Sequence, residues 1–222
     1  MVFPEIVLAS NSPRRKEILA WTGLHFVTQA ADVDETPRED EAPLDYVERL
    51  AESKGRACAN LAPFNGLVLA ADTIVVDDDE ILGKPKDAAD ARRMLRQLRG
   101  RMHTVHTAIA LTIPSKGILY KTTCSTPVHM RRYTDEEVDA YVATGDPLDK
   151  AGAYAIQHPQ FRPVIKFGGC YASVMGLPLC HLERTLRKMG FGERREIPYQ
   201  CQNALSYACP IFRLVLNGEE VG

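Results

Sequence analysis

The sequence lacks the short motifs that mark the commonest enzyme chemistries. It has no GxxxxGK[ST] phosphate loop, no GxGxxG, no HExxH and no GxSxG, which removes support for P-loop, hydride-transfer, zinc-protease and serine-hydrolase readings. It has no CxxC pair. Cys58, Cys124, Cys170, Cys180, Cys201 and Cys209 stand apart, without zinc-finger spacing, and read as reduced thiols. No apolar stretch approaches the ~18 residues that span a bilayer, and no Asn-x-Ser/Thr site occurs. The opening Met1-Val-Phe-Pro-Glu-Ile-Val-Leu8 has neither a basic segment nor a long apolar run, so export is not indicated and the expected compartment is the cytosol. Excess charge of one sign is also missing: 27 Lys+Arg face 29 Asp+Glu, a net charge of −2. That balance argues against a general nucleic-acid or membrane binder.

What is present is ordinary globular composition, with 45% hydrophobic and 25% charged residues over 222 positions. That length suits one large domain or two lobes. Such a chain buries about 70% of its unfolded surface, so neither disulfide nor structural metal is required.

Ile6-Val-Leu-Ala9 reads as a buried strand running into Ser10-Asn-Ser-Pro13. Ser12 suits an N-cap and Pro13 a first helical position, with Gly23 as the stop. Apolar spacing from Asp45 to Cys58 and from Ala88 to Gly100 predicts two amphipathic helices. Leu67–Ala71 with Ile74–Val76 predicts a strand ending in an acidic turn, and Ile81-Leu82 is extended. Val105–Ile113 and Gly117–Tyr120 read as a hairpin, and Cys124–Tyr133 as a further strand. Thr134-x-x-Glu137 is a capping box for a helix ending at Gly145. Gly145–Gly152 reads as a polar loop, Tyr171–Val174 as a strand, and Leu179–Lys188 as a helix.

Two groups carry chemistry. Ser12-Pro-Arg-Arg15 opens a helix, where free backbone N–H groups and the dipole favour an anion. Two guanidinium forks there suit a phosphate chain; otherwise the segment is a capped helix with a solvated basic first turn. Asp72-Thr73 ends a buried strand, and Asp32, Asp34 and Glu35 lie in an acidic loop. Carboxylates from two loops suit a hard cation such as Mg²⁺ and can orient a water, although a single aspartate at a strand end is usually a turn cap. Lys54 and Lys84 offer further charge for phosphate oxygens; taken singly, each is surface lysine. The Arg92–Arg101 run is spaced along an exposed helix face and reads as solvated surface, with RNA or DNA contact as the alternative.

Together the segments Leu8-Ala-Ser-Asn-Ser-Pro-Arg-Arg-Lys-Glu-Ile-Leu19, Asp32-Val-Asp-Glu-Thr36, Ala71-Asp-Thr73, Leu82-Gly-Lys-Pro85, Pro147-Leu-Asp-Lys-Ala-Gly-Ala-Tyr-Ala-Ile-Gln157 and Gly176-Leu-Pro-Leu179 resemble the Maf family of nucleotide pyrophosphatases, in the family's order across about residues 5 to 190. The resemblance implies an α/β fold with a long mixed twisted sheet and flanking helices forming two lobes around a cleft, similar to inosine triphosphate pyrophosphatase. It implies a cytosolic enzyme, commonly a homodimer, that needs a divalent metal (Mg or Mn) and cleaves a nucleoside triphosphate between the α and β phosphorus atoms. By the same resemblance Asp72 accepts the proton of the attacking water, Glu35 and Asp72 bind the metal, and Ser12, Arg14, Arg15, Lys54 and Lys84 hold the phosphates. Three positions implied to read the base are Arg14, Thr73 and Gln157, a set similar to the dTTP/UTP branch. The 7-methyl-GTP branch typically lacks the first arginine and has Asp-Gln in place of Asp-Thr.

Two departures from the family pattern stand out. His158-Pro-Gln-Phe-Arg-Pro163 replaces the usual glycine and short apolar strand, and the chain runs beyond the point where the family often ends. We therefore expect a Maf-like domain over 1–190 and an extension over 191–222 packed on it as a strand or cover, with Cys201 and Cys209 as inert thiols. Alternatives are a pyrophosphatase for a modified purine nucleotide and a non-catalytic nucleotide sensor in cell division. The partner expected is a nucleoside triphosphate, with no membrane and no stable nucleic-acid complex.

Overall fold

In the computed structural model, which describes residues 5–61 and 66–222, strand β1 (Ile6–Leu8) leads through a turn into helix α1 (Pro13–Ala20). The Ser12 side chain accepts from the Arg15 N–H, and Pro13 occupies the first turn. Residues 1–4 of the opening segment lie outside the described residues. Next come β2 (Phe26–Thr28), α2 (Pro43–Leu61), β3 (Leu67–Asp77), β4 (Glu80–Leu82) and α3 (Ala88–Leu98). β5 (Met102–Ile113), β6 (Ile118–His129) and α4 (Asp135–Ala143) complete the sheet region. α5 (Tyr171–Met175), α6 (Leu179–Lys188), α7 (Ile197–Leu205) and α8 (Phe212–Leu216) follow.

The strand order is β2-β1-β3-β5-β6, with β4 paired to β3. β1 runs parallel to β2 and β3, whereas β4 and β5 run antiparallel to β3. This is the mixed α/β sheet the sequence implies. β1 pairs with β3 only at Leu67–Leu69 and β4 only at Val75–Asp77. Between those contacts one edge of β3 is left to line a cavity, and Asp72-Thr73 falls in that gap.

Strand alternation divides the core. Val68, Ala70, Ile74 and Val76 pack with Tyr46, Val47, Leu50 and Ala51 of α2 on one face. Leu67, Leu69, Ala71 and Val75 face the larger cluster that includes α1, α3, α4 and α6. Helices thus cover both faces.

Helix α4 has the expected cap, a reciprocal capping box of Thr134 and Glu137, and the structure adds one for α3, where Asp87 accepts from the Asp90 N–H. The α3 arginines are ion-paired. Arg92 binds Asp139 at 2.5 Å, while Arg96 and Arg99 bind Asp135 at 3.3 and 2.6 Å. Those side chains dock α3 against α4.

Several sequence expectations need correction. Tyr171–Val174 is helical, because Gly176 at φ 113° closes a short helix through N–H bonds from Gly176 and Leu177 to the Ala172 carbonyl. β6 is one continuous strand paired along all of β5, joining the segments read separately as Gly117–Tyr120 and Cys124–Tyr133. β2 has no apolar alternation to announce it, and Val27 is half exposed.

The extension forms two helices and no strand. Ile197 and Val215 anchor it with almost no exposure, and it covers α6, every residue of which from Leu179 to Leu186 is buried. Arg184 donates to the Glu219 carbonyl at 2.9 Å, to Glu220 Oε2 at 3.0 Å and to Thr122 Oγ1 at 3.3 Å, tying the extension to both α6 and β6. All six cysteines are free. Burial pushes the Cys201 thiol up to about 12 and raises that of Cys209, which makes both poor nucleophiles.

Gly152 fixes the approach of the 146–153 segment to β3. Its φ is +67°, and a Cβ there would lie 2.9 Å from Val75 Cγ2. Gly152→Ala is expected to cost about 2–3 kcal/mol through backbone strain and overpacking. The check is a lowered urea midpoint at unchanged m-value.

Candidate active site

A cavity of about 730 Å³ opens where β1 and β4 leave the edge of β3, walled by the α1 N-terminus, the acidic loop before α2, the Gly83-Lys84 loop and the segment from Asp149 to Gln157. Its volume lies in the range of ligand sites, about 300–1,000 Å³. Ser12, Arg14, Arg15, Glu35, Lys54, Asp72, Thr73, Lys84 and Gln157 all line it. Asp32 lines it too. Asp34 instead caps a turn, its carboxylate accepting from the Thr36 N–H at 2.9 Å.

Because neighbouring residues of a strand point to opposite faces, Asp72 and Thr73 serve different partners. Asp72, almost buried, faces α2, and Lys54 Nζ donates to its Oδ1 at 2.5 Å. The same ammonium lies 2.7 Å from Glu35 Oε1. Partial burial pushes the Glu35 carboxyl up, but the Lys54 bond and the charges of Lys54, Lys84 and Arg15 outweigh it and hold the group below its usual range. Tyr46 steadies the loop by donating to the Glu35 carbonyl at 2.8 Å.

Thr73 faces the other way. Arg15 Nη2 donates to Thr73 Oγ1 at 3.1 Å, Thr73 Oγ1 lies 3.0 Å from Thr107 Oγ1, and Thr107 donates to the Ser173 carbonyl at 2.8 Å. With the Thr107 proton committed to that carbonyl, Thr73 must donate to Thr107 and accept from Arg15. Arg15 also donates through Nε to the Gly176 carbonyl at 3.0 Å and through Nη1 to Ser10 Oγ at 3.5 Å. Burial lowers the affinity of this guanidinium for its proton, an effect that the negative Asp72 opposes. Arg15 is thus held by α5 and β3 as a fixed charge in the wall.

Arg14 is more open and donates to Asp149 Oδ2 at 3.4 Å. Asp149 is in turn held by Lys150, whose Nζ donates to Asp149 Oδ1 at 2.6 Å, to Asp146 Oδ1 at 2.8 Å and to the Asp146 carbonyl at 2.5 Å. Lys150 is 7% exposed and lines the cavity. Sequence reasoning assigned no role to Lys150 or Ser10; a lysine in a polar loop looks like surface until its burial is known. Gln157 is exposed at the rim. After it, Phe161 stacks on Tyr141 with centroids 4.3 Å apart and 14° between planes, which turns the His158–Pro163 segment into a compact loop.

Cationic groups therefore surround a space large enough for a nucleotide, with two carboxylates converging on one side. Glu35 and Asp72 share a single ammonium, so they are near enough to share a metal ion, and two carboxylates completed by substrate oxygens are the usual donor set for Mg²⁺. The pair fits such an ion. Among the described residues no group of three or more His, Cys, Asp or Glu side chains is arranged to hold a metal.

The fold and cavity define an α/β protein with a cation-lined cavity at the open edge of its sheet. The Maf-like protein family model matches residues 5–189, and the chain belongs to that family. A dTTP/UTP pyrophosphatase of Citrifermentans bemidjiense is 49% identical over 185 residues, covering 83% of this chain and 95% of its own length. A dTTP/UTP pyrophosphatase of Dehalococcoides mccartyi is 41% identical over 214 residues, 96% of this chain and 95% of the relative. That alignment takes in much of residues 191–222, so this relative has a counterpart of the extension. The dITP/XTP pyrophosphatase structure from Mycobacterium abscessus overlaps only partly: 20% identity, 58% of this chain, 75% of that one and a TM-score of 0.40.

Beneath the cavity, His103 Nε2 and the Tyr154 hydroxyl are 2.8 Å apart, and His103 is 3% exposed. Burial holds its imidazole at about 4 instead of 6.5. The unfolded chain takes up a proton here that the folded one resists, so stability present above pH 6.5 falls as the pH drops toward 4. His103→Gln is expected to remove about 2–3 kcal/mol of the stability difference between pH 7 and 4.5. Urea unfolding of both proteins at the two pH values checks this.

Proposed function

We propose that this chain is a nucleoside triphosphate pyrophosphatase that hydrolyses dTTP, UTP and related pyrimidine nucleotides to the monophosphate and pyrophosphate. The observation that carries the proposal is the convergence of Asp72, Glu35 and Lys54 on one wall of a cavity whose other walls supply Arg14, Arg15 and Lys84. The names of the 41–49% identical relatives support the same reading.

Phosphoryl transfer asks a protein for positioning and charge stabilisation. In this reading the triphosphate lies across the α1 N-terminus, where Ser12 and the first-turn N–H groups meet it and Arg14, Arg15 and Lys84 offset its charge. Asp72 takes a proton from a water as the water oxygen bonds to phosphorus. The bridging P–O bond breaks and pyrophosphate leaves. Glu35 and Asp72 would hold a divalent cation, Mg²⁺ or Mn²⁺, which when bound neutralises phosphate oxygens. The amide of Gln157 can pair with both donor and acceptor on a pyrimidine edge. Thr73 acts on specificity through Arg15, because its own hydroxyl is committed.

Residues 1–190 carry this chemistry and 191–222 cover α6. The homodimer and the cytosolic setting that the family likeness implies belong to the same proposal. No helix among the described residues is long and apolar enough to cross a membrane, and pairing of the α3 arginines leaves little to recommend a nucleic-acid surface.

Pyrophosphate release from dTTP, UTP, modified pyrimidine nucleotides and 7-methyl-GTP, with Mg²⁺ or Mn²⁺, tests the proposal. Selective turnover of dTTP and UTP is expected, with kcat reduced about 10²–10⁴-fold in Asp72→Asn. Turnover confined to 7-methyl-GTP would overturn the base assignment. Nucleotide binding without turnover would make the chain a sensor.

A further inference from the structure

Lys54 has two claims on it. As a phosphate ligand it should reach into the cavity, yet its Nζ lies 2.5 Å from Asp72 Oδ1 and 2.7 Å from Glu35 Oε1. The Lys54 and Asp72 side chains are 15% and 10% exposed, so that charge-assisted bond is poorly screened, whereas Glu35, at 56%, meets the ammonium from the solvent side. The ammonium therefore stands where a cation shared by those two carboxylates would stand. Lysine and a divalent ion cannot occupy that position together.

We propose that Lys54 is the built-in counter-ion of the Glu35–Asp72 pair in the nucleotide-free protein, and that it yields the position to a divalent cation only when a triphosphate is present to receive its ammonium. The inference rests on the reading of that pair as the metal-binding group of a triphosphate-hydrolysing site.

Charge decides the order of events. Without nucleotide, an incoming metal ion would have to break both Lys54 contacts and leave the displaced ammonium near Arg15 and Lys84, whose charges already act on Glu35. Of the other carboxylates lining the wall, Asp149 is engaged by Lys150 and Arg14, which leaves the single charge of Asp32 to set against the several of a triphosphate. A triphosphate changes this by bringing several negative oxygens within range of the four-carbon lysine stem, a flexible carrier of a point charge. Metal and nucleotide then favour one another's binding, and by linkage the effect is reciprocal. Until then the Lys54 ammonium offsets the repulsion between two neighbouring carboxylates.

The test is Mn²⁺ binding by the full-length protein, read from the loss of the free-ion electron paramagnetic resonance signal, with and without the non-hydrolysable α,β-imido analogue of dTTP. The wild type is expected to bind Mn²⁺ at least tenfold more tightly with the analogue than alone. Lys54→Met and Lys54→Gln, both checked for folding by circular dichroism and thermal melting, should bind Mn²⁺ alone about tenfold more tightly than the wild type, about 1.4 kcal/mol. In both, the gain from the analogue should shrink. Lys54→Arg, which keeps a positive charge on the pair, should show no such gain. Unchanged or weaker Mn²⁺ binding by the folded Met and Gln variants would overturn the inference while leaving the site reading intact. Mn²⁺ uptake insensitive to both Asp72→Asn and Glu35→Gln would overturn the site reading itself, and the inference with it.

Discussion

A nearly buried carboxylate in the middle of a sheet edge has to be met by a cation, and much of this molecule is arranged around that requirement. Asp72 lies where β1 has ended and β4 has not begun, so the edge of β3 is open to a ligand there. Lys54 reaches it from α2. The helix can come that close because the sheet face beneath it is built partly of small residues, including Ala70, Ala108 and Ala110. Closing the edge with further backbone pairing would leave no cavity; moving α2 away would leave a buried charge unpaired, at a cost of several kcal/mol.

The other side of β3 answers a different demand. Arg15 stands at a helix N-terminus, where the dipole is unfavourable to cations, and it is retained by acceptors from three elements: Ser10, Thr73 and Gly176. Arg14 is balanced by Asp149, which Lys150 fixes. Arg14 and Arg15 are therefore held by local acceptors before any ligand arrives, and a phosphate chain would meet two guanidinium groups already placed. Gly152 belongs to the same construction, since only a residue without a side chain lets that segment lie against Val75.

Much of this was legible in the chain itself. Helix α3 declares itself through apolar spacing and α4 through the capping box at Thr134, because those signals are local. The Ser12-Pro13 start of α1 is readable for the same reason, and of the candidate residues all but Asp34, which caps a turn, line the cavity. What escaped depends on distant contacts. β2 is a partly exposed strand whose existence rests on pairing with β1. Tyr171–Val174 has strand-like residues, but Gly176 and the neighbouring carbonyls make it a helix. The run Ile211–Leu216 looks like a strand in isolation and becomes a short helix with Val215 turned inward. The importance of Lys150 lies in its burial, which no spacing reveals, and the commitment of the Thr73 hydroxyl is visible only once Thr107 and Ser173 are placed beside it.

The most direct test of the account is a crystal structure of the protein with Mn²⁺ and a non-hydrolysable dTTP analogue, using anomalous scattering to locate the metal. The account places the manganese signal between Glu35 and Asp72, with Lys54 Nζ on the phosphate oxygens and the thymine near Gln157. A structure with the triphosphate bound in which Lys54 still bridges the two carboxylates and the metal lies elsewhere would contradict it.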